Sequence, residues 1–193
     1  MVKLNKIYTR TGDAGETGLV DGSRTPKHDP RIAAIGDVDE ANSLIGVALL
    51  HISPEDEAAA MLGRIQNEMF DLGADLATPG SDFTPGEMTL RIVAAQIDRL
   101  EREIDALNAG LAPLRSFVLP GGTAAAAHLH VSRAVARRAE RTAVAAQAAG
   151  TGLNPLALRY LNRLSDHLFT LCRLLNAAGT GDPLWRPGAT REA

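Results

Sequence analysis

The stretch Thr123–Ala149 constrains the fold of this chain more than any other part of the sequence. It is rich in alanine, it has no internal glycine or proline, and most of its other residues favour helix. At about 100° per residue, four of its side chains fall within about 60° of one another, namely Arg133, Arg137, Glu140 and Val144. A long helix with a charged stripe is therefore predicted. Such a stripe usually faces solvent, and this interpretation stays open beside a ligand-binding one.

Four further helices are predicted from the spacing of apolar residues and from capping signals. The predicted ranges are 37–51, 53–77, 84–108 and 154–178, and the residues that begin them are Asp37, Ser53, Thr84 and Asn154. Proline follows three of these residues directly, as is typical of the first position of a helix. Five helices with short connections predict an all-α fold, an antiparallel five-helix bundle.

The chain of 193 residues is long enough for one domain with a full core. We divide it into an N-terminal loop (1–36), a helical bundle (37–178) and a C-terminal tail (179–193). The loop has the glycines and hydroxyls of turn-forming sequence, and so few helical signals that it is a candidate binding segment. The tail is rich in glycine and proline, and we expect it to be loosely attached, with Trp185 as the residue that could dock.

Composition and charge exclude several classes of protein. A net charge of −3 and a pI near 5.9 argue against a general nucleic-acid binder. The single cysteine, Cys172, cannot form an internal disulfide, and it is predicted to pack as a small hydrophobe in a reducing compartment. The sequence shows no secretory signal and no apolar run of the ~20 residues that span a membrane. We therefore expect a cytoplasmic protein that binds neither nucleic acid nor membrane.

Metal sites are common in helical bundles, so the histidines and carboxylates need separate attention. A di-iron site of the ferritin type needs Glu-x-x-His pairs on two helices. No glutamate of this chain has a histidine three residues later, which argues strongly against such a site. His128 and His130 point in different directions on a helix, and a packing or surface role is predicted for each.

An anionic ligand would explain three polar features together. The segment 8–18 is rich in glycine and threonine, and consecutive backbone amides beside glycine can surround an anion, although the spacing is not that of a P-loop. Lys27 follows this segment, and Asn162 with Asp166 forms a second polar stripe near the arginine stripe. Arginine suits phosphate oxygens, and carboxylates can hold Mg²⁺ beside a phosphate. Salt bridges between helices or subunits explain the same residues equally well at this point.

Five motifs follow one another along the chain, and they are YTRTGDAGET (8–17), GDVDEANS (36–43), FVLPGG (117–122), SRAVARRAER (132–141) and YLNRLSD (160–166). Together they closely resemble the PduO-type ATP:cob(I)alamin adenosyltransferases, in the order of that family and from residue 6 to 178. The resemblance implies a homotrimer with active sites between neighbouring subunits. It implies that the 5′-deoxyadenosyl group of ATP is transferred to the cobalt of a reduced corrinoid, with release of triphosphate.

The resemblance also assigns the nucleotide site residue by residue. ATP binding is implied for Thr9, Arg10, Thr11, Gly12, Thr17, Lys27, Arg137, Arg138, Glu140, Arg141 and Asn162. Of these, Arg137, Glu140 and Asn162 are the implied catalytic residues. Arg137 is expected to neutralise charge on the departing triphosphate, and Glu140 to orient nucleotide or metal. Mg²⁺ is expected to bind mainly through the phosphates of ATP, and no protein ligand is assigned to it.

The remaining assignments concern the corrinoid and the partners. Phe117 and Asp166 are the implied corrinoid-binding residues, and Phe117 is expected to displace the lower axial ligand and favour four-coordinate cobalt(II), which is easier to reduce. Asp39 and Arg133 are implied to pair across the subunit interface. A reductase and an adenosylcobalamin-dependent acceptor enzyme are the implied protein partners. The alternative is a non-catalytic trimeric sensor or carrier of ATP or corrinoid.

Two positions depart from the family pattern. Arg10 stands where the family often has lysine, which keeps the charge but changes the geometry offered to phosphate. Ala14 stands where relatives often have a polar residue, so one side-chain contact is absent. Neither difference removes a residue on which the proposed chemistry depends.

Overall fold

The computed structural model describes residues 7–179 and 181–191, and it has five α-helices and a two-stranded hairpin in that part of the chain. The helices are α1 (Pro30–Leu49), α2 (Glu57–Leu76), α3 (Ala94–Ala109), α4 (Ala124–Ala148) and α5 (Pro155–Ala177). The antiparallel strands are β1 (Glu16–Gly18) and β2 (Arg24–Pro26). The all-α prediction is confirmed. Positions 1–6, 180, 192 and 193 of the predicted loop and tail lie outside the described residues.

Neighbouring helices alternate in direction along the chain. On α1 and α4, the Thr142 hydroxyl donates to Asp37, whereas the Ser132 hydroxyl donates to the carbonyl of Ala41. The order of these partners reverses between the two helices, which makes them antiparallel. Between α3 and α5, Arg163 bonds to Glu101 and His167 bonds to Glu103. The residue numbers of the partners increase together, so these two helices are parallel. An up-down bundle of five helices has this pattern.

Small side chains on α4 allow close packing at the centre of the bundle. Four alanines one turn apart are fully buried, namely Ala136, Ala139, Ala143 and Ala146. Helices α1 and α5 both pack against α4, and they bring in larger apolar side chains such as Ile45 and Leu164. The alanine content of this stretch therefore serves helix contact as well as helix propensity.

The predicted boundaries of α4 and α5 are confirmed by their caps. The Thr123 hydroxyl accepts a bond from the amide of Ala126 at 3.2 Å. The Asn154 side chain accepts one from the amide of Leu156 at 3.0 Å, and Pro155 occupies the first position of α5. Both caps bind backbone amides that have no partner inside the helix.

The predicted start of α1 at Asp37 is wrong, because the helix begins about two turns earlier. Asp29 is the N-cap, with its carboxylate on the amide of Arg31 at 2.8 Å, and Pro30 is the first helical residue. The carboxylate of Asp37 instead accepts bonds from Arg138 and Thr142 of α4. The capping pattern at Asp37 is therefore an interhelical contact, and the predicted loop 1–36 is shorter by seven residues.

The starts predicted for α2 and α3 are also wrong. The N-cap of α2 is Asp56 rather than Ser53. Helix α3 begins at Ala94 rather than near Thr84, because Arg91 holds the preceding segment against the end of α2. Its guanidinium, 2% exposed, donates to the Asp75 carboxylate at 2.7 Å and to three backbone carbonyl groups. A helix from residue 84 would give up these bonds.

We expect Asp75→Ala to lower the free energy of unfolding by about 3–5 kcal/mol, because it leaves the Arg91 charge buried and unpaired. Asp75 also accepts from the amide of Ile92 and from the side chain of Asn154, so two further donors lose their partner. Urea unfolding at constant pH measures the change. The exposed Asp98 is the matched control, and its alanine variant should change the value by less than about 0.5 kcal/mol. A small loss for Asp75→Ala would contradict this account of the segment.

Stability should also depend on two buried histidines. Burial lowers the pKa of His130 and of His167 below the ordinary value of 6.5. The unfolded chain therefore takes up protons at a higher pH than the folded one, and stability is lost as the pH falls below 6.5. Each histidine that is neutral in the folded protein contributes a slope of up to about 1.4 kcal/mol per pH unit.

Urea unfolding at a series of pH values around 6.5 measures this slope. We expect His130→Phe to reduce it, because the substitution removes a titrating group. The change should break no hydrogen bond, since neither ring nitrogen of His130 has a partner among the described residues. The same substitution at the exposed His28 is the matched control. An unchanged slope for His130→Phe would contradict the prediction.

Two further sequence-based expectations can be compared with the structure. Cys172 is fully buried, as predicted, and burial raises the pKa of its thiol to about 12. No helix within the described residues is both long enough and apolar enough to cross a membrane.

Candidate functional site

The N-terminal segment folds around Gly12. A Cβ atom at Gly12 would lie 3.2 Å from the ammonium nitrogen of Lys27 and 3.2 Å from the carbonyl oxygen of Glu16. The amide of Lys27 donates to the carbonyl of Gly15 at 2.8 Å. Thr9 and Thr11 share a hydrogen bond between their hydroxyls at 2.8 Å. Four of the predicted nucleotide residues, Thr9, Thr11, Gly12 and Lys27, are thus close in the chain or in space, and Gly12 is the position where a side chain would crowd the lysine.

Two arginines shape this segment in different ways. Arg10 has a positive φ of 63°, which is uncommon for a residue with a side chain. Arg24, which the sequence analysis did not select, donates to the carbonyl of Thr11 at 2.7 Å and pairs with Glu16. Thr17 lies in β1 opposite Thr25. The hairpin therefore holds the predicted loop in a defined backbone conformation.

The hairpin contacts the end of the bundle that carries the C-terminus of α2. The amide of Val20 donates to the carbonyl of Ala77 at 3.1 Å. The buried Arg31, at the start of α1, donates to the carbonyls of Leu76 and Thr151. The bond of Val20 fixes the hairpin to the end of α2 in its own subunit, and the bonds of Arg31 hold the start of α1 beside it.

The arginines of α4 have different environments. Arg137 is exposed, and its guanidinium has no hydrogen bond or ion pair within residues 7–179 and 181–191. Arg138 instead pairs with Asp37 at 3.0 Å and with Glu40 on α1. Arg141 donates to the backbone carbonyl of Arg137 at 2.9 Å. Arg137 therefore has a cationic group free for a ligand, while Arg138 ties α4 to α1.

Glu140 and Asn162 are in direct contact, as the predicted site requires. The Asn162 amide nitrogen donates to Glu140 Oε1 at 2.8 Å, which joins α4 to α5. Arg163 donates to Asn162 Oδ1 at 2.6 Å and to Glu101 of α3 at 2.7 Å. Neither Arg163 nor Glu101 is among the site residues predicted from the sequence. Arg163 lies inside the YLNRLSD motif, and that was the signal available for it.

Phe117 lines an open pocket of about 720 Å³ at the side of the bundle. Its side chain is 77% exposed, and its ring centre lies 5.9 Å from that of Trp185. Arg133 and Phe169 line the same pocket. Asp166, the other predicted corrinoid residue, is exposed on α5, and its carboxylate lies 3.9 Å from the Arg163 guanidinium.

The expectation of a loosely attached tail is wrong for residues 181–185. The amide of Trp185 donates to the carbonyl of Phe117 at 2.8 Å, and that of Leu119 donates to the carbonyl of Pro183 at 2.7 Å. Asp182 pairs with the buried Arg173 of α5 at 3.1 Å. The tail therefore packs as an extended segment beside Phe117, and Trp185 is the residue that brings an aromatic ring there.

Asp39 and Arg133 lie in different surfaces of the chain. Asp39 borders an apolar groove between α1 and α2, together with Met69 and with Phe70, which is 71% exposed. Arg133 borders the Phe117 pocket, and its buried Nε atom has no hydrogen-bond partner in the part of the chain that the structure describes. The two residues do not pair within one subunit, and their pairing between subunits stays a prediction.

Taken together, these residues define a helical-bundle protein with a cationic polar site and a separate aromatic pocket. Among the described residues, no three histidine, cysteine, aspartate or glutamate side chains are grouped closely enough to hold a metal ion. The polar side chains present at Arg137, Glu140 and Asn162 suit a phosphorylated ligand that brings its own cation.

Comparisons with known proteins identify the family. The family model described as cobalamin adenosyltransferase matches residues 7–175. A corrinoid adenosyltransferase of Mycobacterium tuberculosis is 53% identical over 193 residues, which are 100% of this chain and 98% of the relative. One from Bacillus subtilis is 43% identical over 183 residues, which are 92% of this chain and 90% of the relative.

The same family appears among solved structures. A variant PduO-type ATP:corrinoid adenosyltransferase from Lactobacillus reuteri, complexed with cobalamin and ATP, has a TM-score of 0.83 and 37% identity. The match covers 94% of this chain and 99% of that one. The chain belongs to the cobalamin adenosyltransferase family, and the resemblance of its five motifs is confirmed.

Proposed function

We propose that this chain transfers the 5′-deoxyadenosyl group of ATP to the cobalt of cob(I)alamin, which gives adenosylcobalamin and triphosphate. The observation that carries the proposal is the unpaired guanidinium of Arg137, one helical turn from the hydrogen-bonded Glu140–Asn162 pair. Family membership supports the substrates. The proposal makes the protein a transferase that binds two small-molecule substrates.

In the proposed reaction, the chemical reactivity belongs to the substrates. Cobalt(I) supplies the electron pair for a new bond to C5′ of ATP, and the bond from C5′ to the triphosphate oxygen breaks. The cobalt becomes formally cobalt(III), and the electron pair of the broken bond leaves with triphosphate. No protein nucleophile is needed, so the side chains bind, orient and neutralise charge.

Arg137 is the proposed stabiliser of the leaving group. Negative charge grows on the bridging oxygen as the C5′–O bond breaks. A guanidinium without an internal ion pair can stabilise that charge by hydrogen bonding. Glu140 has one carboxylate oxygen bound to Asn162, which leaves the other for the nucleotide or its cation. The pair therefore fixes the position of the carboxylate before the nucleotide binds.

The loop around Gly12 is the proposed second part of the nucleotide site. Lys27 brings an ammonium group to Gly12, where the absence of a side chain leaves the backbone open to phosphate oxygens. The loop is fixed to α1 and α2 of its own subunit. We infer that in a homotrimer the loop of one subunit completes the site formed by α4 and α5 of its neighbour, with Asp39 and Arg133 paired across the same interface.

Mg²⁺ fits this arrangement as a companion of the triphosphate. It commonly binds one or two carboxylates together with substrate phosphates, and Glu140 is a carboxylate of the site that has a free oxygen. The cation would neutralise part of the triphosphate charge. The guanidinium of Arg137 and the amide nitrogen of Asn162 only donate hydrogen bonds, so neither can be a ligand of the cation.

The aromatic pocket is the proposed corrinoid site. Phe117 and Trp185 offer apolar faces to a macrocycle, and the exposed ring of Phe117 would occupy the space of a lower axial ligand. Asp166 would contact the corrinoid periphery. A reductase that delivers an electron to cobalt(II), an acceptor enzyme that uses the product, and a cytoplasmic location remain parts of this proposal.

Multiple turnover tests the proposal against the non-catalytic alternative. An enzyme supplied with excess ATP, Mg²⁺ and chemically reduced cobalamin should form several molecules of adenosylcobalamin per chain, followed by the visible spectrum of the corrinoid. A sensor or carrier would bind both ligands without forming the cobalt–carbon bond. Binding of both ligands with no product would support that alternative.

A further inference from the structure

Asn162 is held by two charged side chains on opposite sides of its amide. Its Nδ2 donates to Glu140 Oε1 at 2.8 Å, and its Oδ1 accepts from Arg163 at 2.6 Å. A carboxylate can only accept and a guanidinium can only donate, so the two neighbours leave one orientation for the amide. The reverse orientation would place acceptor against acceptor and donor against donor.

Arg163 is itself anchored from a third helix. Its Nε donates to Glu101 Oε1 of α3 at 2.7 Å, while another nitrogen of the same guanidinium reaches Asn162. The fork of donors is planar and rigid, so the bond to Glu101 sets the direction of the bond to Asn162. One continuous set of hydrogen bonds thus joins α3, α5 and α4 and ends at Glu140.

We propose that Arg163 is a positioning residue for the nucleotide site, and that Glu101 supports it. The inference rests on the proposed function, since it concerns how Asn162 and Glu140 are aligned for ATP. Arg163 turns the amide of Asn162 so that its nitrogen faces Glu140, and the carboxylate of Glu140 then faces the ligand in one orientation. Its guanidinium also forms a long, solvent-exposed ion pair with Asp166 at 3.9 Å, and an exposed pair of this kind contributes little to holding the corrinoid residue.

Other charged groups around Arg163 do not take over this task. Arg138 is occupied by Asp37 and Glu40. Arg159, one turn earlier on α5, is exposed and has no ion pair or hydrogen bond within the described residues. Arg159 therefore provides a matched control, with the same side chain on the same helix but without the contact to Asn162.

The test compares Arg163→Met with Arg159→Met in an assay for adenosylcobalamin. We expect Arg163→Met to raise the KM for ATP roughly tenfold, the size expected for one charge-assisted hydrogen bond, with the KM for corrinoid unchanged. Arg163→Lys should recover part of the loss, because an ammonium can reach Asn162 or Glu101 but cannot join them as a fork. Arg159→Met should match the unmodified protein in every measurement.

A second comparison separates positioning from a merely structural role. In protein that already carries Asn162→Ala, the change Arg163→Met should leave the dissociation constant of ATP unchanged, because the amide that it positions is gone. Glu101→Ala should also raise the KM for ATP, but by a smaller factor than Arg163→Met. If Arg163→Met does not fold, Arg163→Lys and Glu101→Ala give the same readout.

The proposal is overturned if Arg163→Met and Arg159→Met have the same KM for ATP. It is also overturned if Arg163→Met weakens ATP binding equally in the unmodified protein and in the Asn162→Ala variant. If Arg163→Met does not fold, an unchanged KM for ATP in both Arg163→Lys and Glu101→Ala overturns the proposal as well. Failure of the proposed function looks different, since the unmodified protein would then form no adenosylcobalamin while binding ATP normally.

Discussion

Arg137→Ala should lose most of the turnover while it keeps the helical fold. Removal of one group that stabilises charge in a transition state typically lowers kcat by about 10²–10³-fold. The side chain is exposed, and its loss breaks no hydrogen bond or ion pair among the described residues. Circular dichroism and thermal unfolding should therefore match those of the unmodified protein, and the deficit should appear in kcat with chemically reduced cobalamin.

Two further variants define the role of Arg137. Arg137→Lys keeps the charge without the fork and should recover part of kcat. The exposed Arg102 of α3 is the matched control, because it also has no ion pair or hydrogen bond within the described residues, and its alanine variant should have normal kcat. Near-normal kcat for Arg137→Ala would remove this residue from the mechanism.

Phe117→Ala should bind corrinoid but fail to give the spectrum of four-coordinate cobalt(II). The ring is 77% exposed at the pocket, and it contacts the ring of Trp185 rather than the buried core. In the proposed corrinoid site, its removal would open space below the corrinoid, where water or another ligand could reach the lower face of cobalt. Five-coordinate cobalt(II) is harder to reduce, so turnover that starts from cobalt(II) with a reductant should fall further than turnover that starts from cobalt(I).

Electron paramagnetic resonance and visible spectra of cob(II)alamin with ATP and protein measure this effect. The exposed Met88 is a suitable control, because it is a large apolar side chain outside the Phe117 pocket. Met88→Ala should keep the four-coordinate signal. The same signal in Phe117→Ala would exclude Phe117 from control of the axial ligand.

The sequence predicted well the features that depend on short segments. Helix α4 and its cap at Thr123 follow from alanine content and a local hydroxyl. The resemblance assigned Glu140 and Asn162 to one site, and the hydrogen bond between them is a finding of the structure. Starts of helices were predicted less well. The cap-like Asp37 binds α4, and Arg91 keeps the segment before α3 extended through Asp75, a contact that no local pattern contains.

Distant pairings also determined which polar residues are free for ligands. A sequence shows four arginines within one helical segment, but it does not show that Arg138 is paired with Asp37 and Glu40 while Arg137 is unpaired. Likewise, Glu101 lies among several charged residues of α3, and only the packing of α3 against α5 brings it to Arg163. These partners lie more than sixty residues apart, beyond the reach of periodicity.

The central claim is adenosyl transfer from ATP with triphosphate as the leaving group, and the ratio of the two products tests it most directly. Protein, Mg²⁺, ATP and chemically reduced cobalamin are incubated together, and adenosylcobalamin and the phosphate products are separated and quantified. The account predicts one triphosphate for each adenosylcobalamin and no triphosphate when cobalamin is omitted. Release of phosphate or diphosphate without triphosphate, or formation of no adenosylcobalamin, would contradict it.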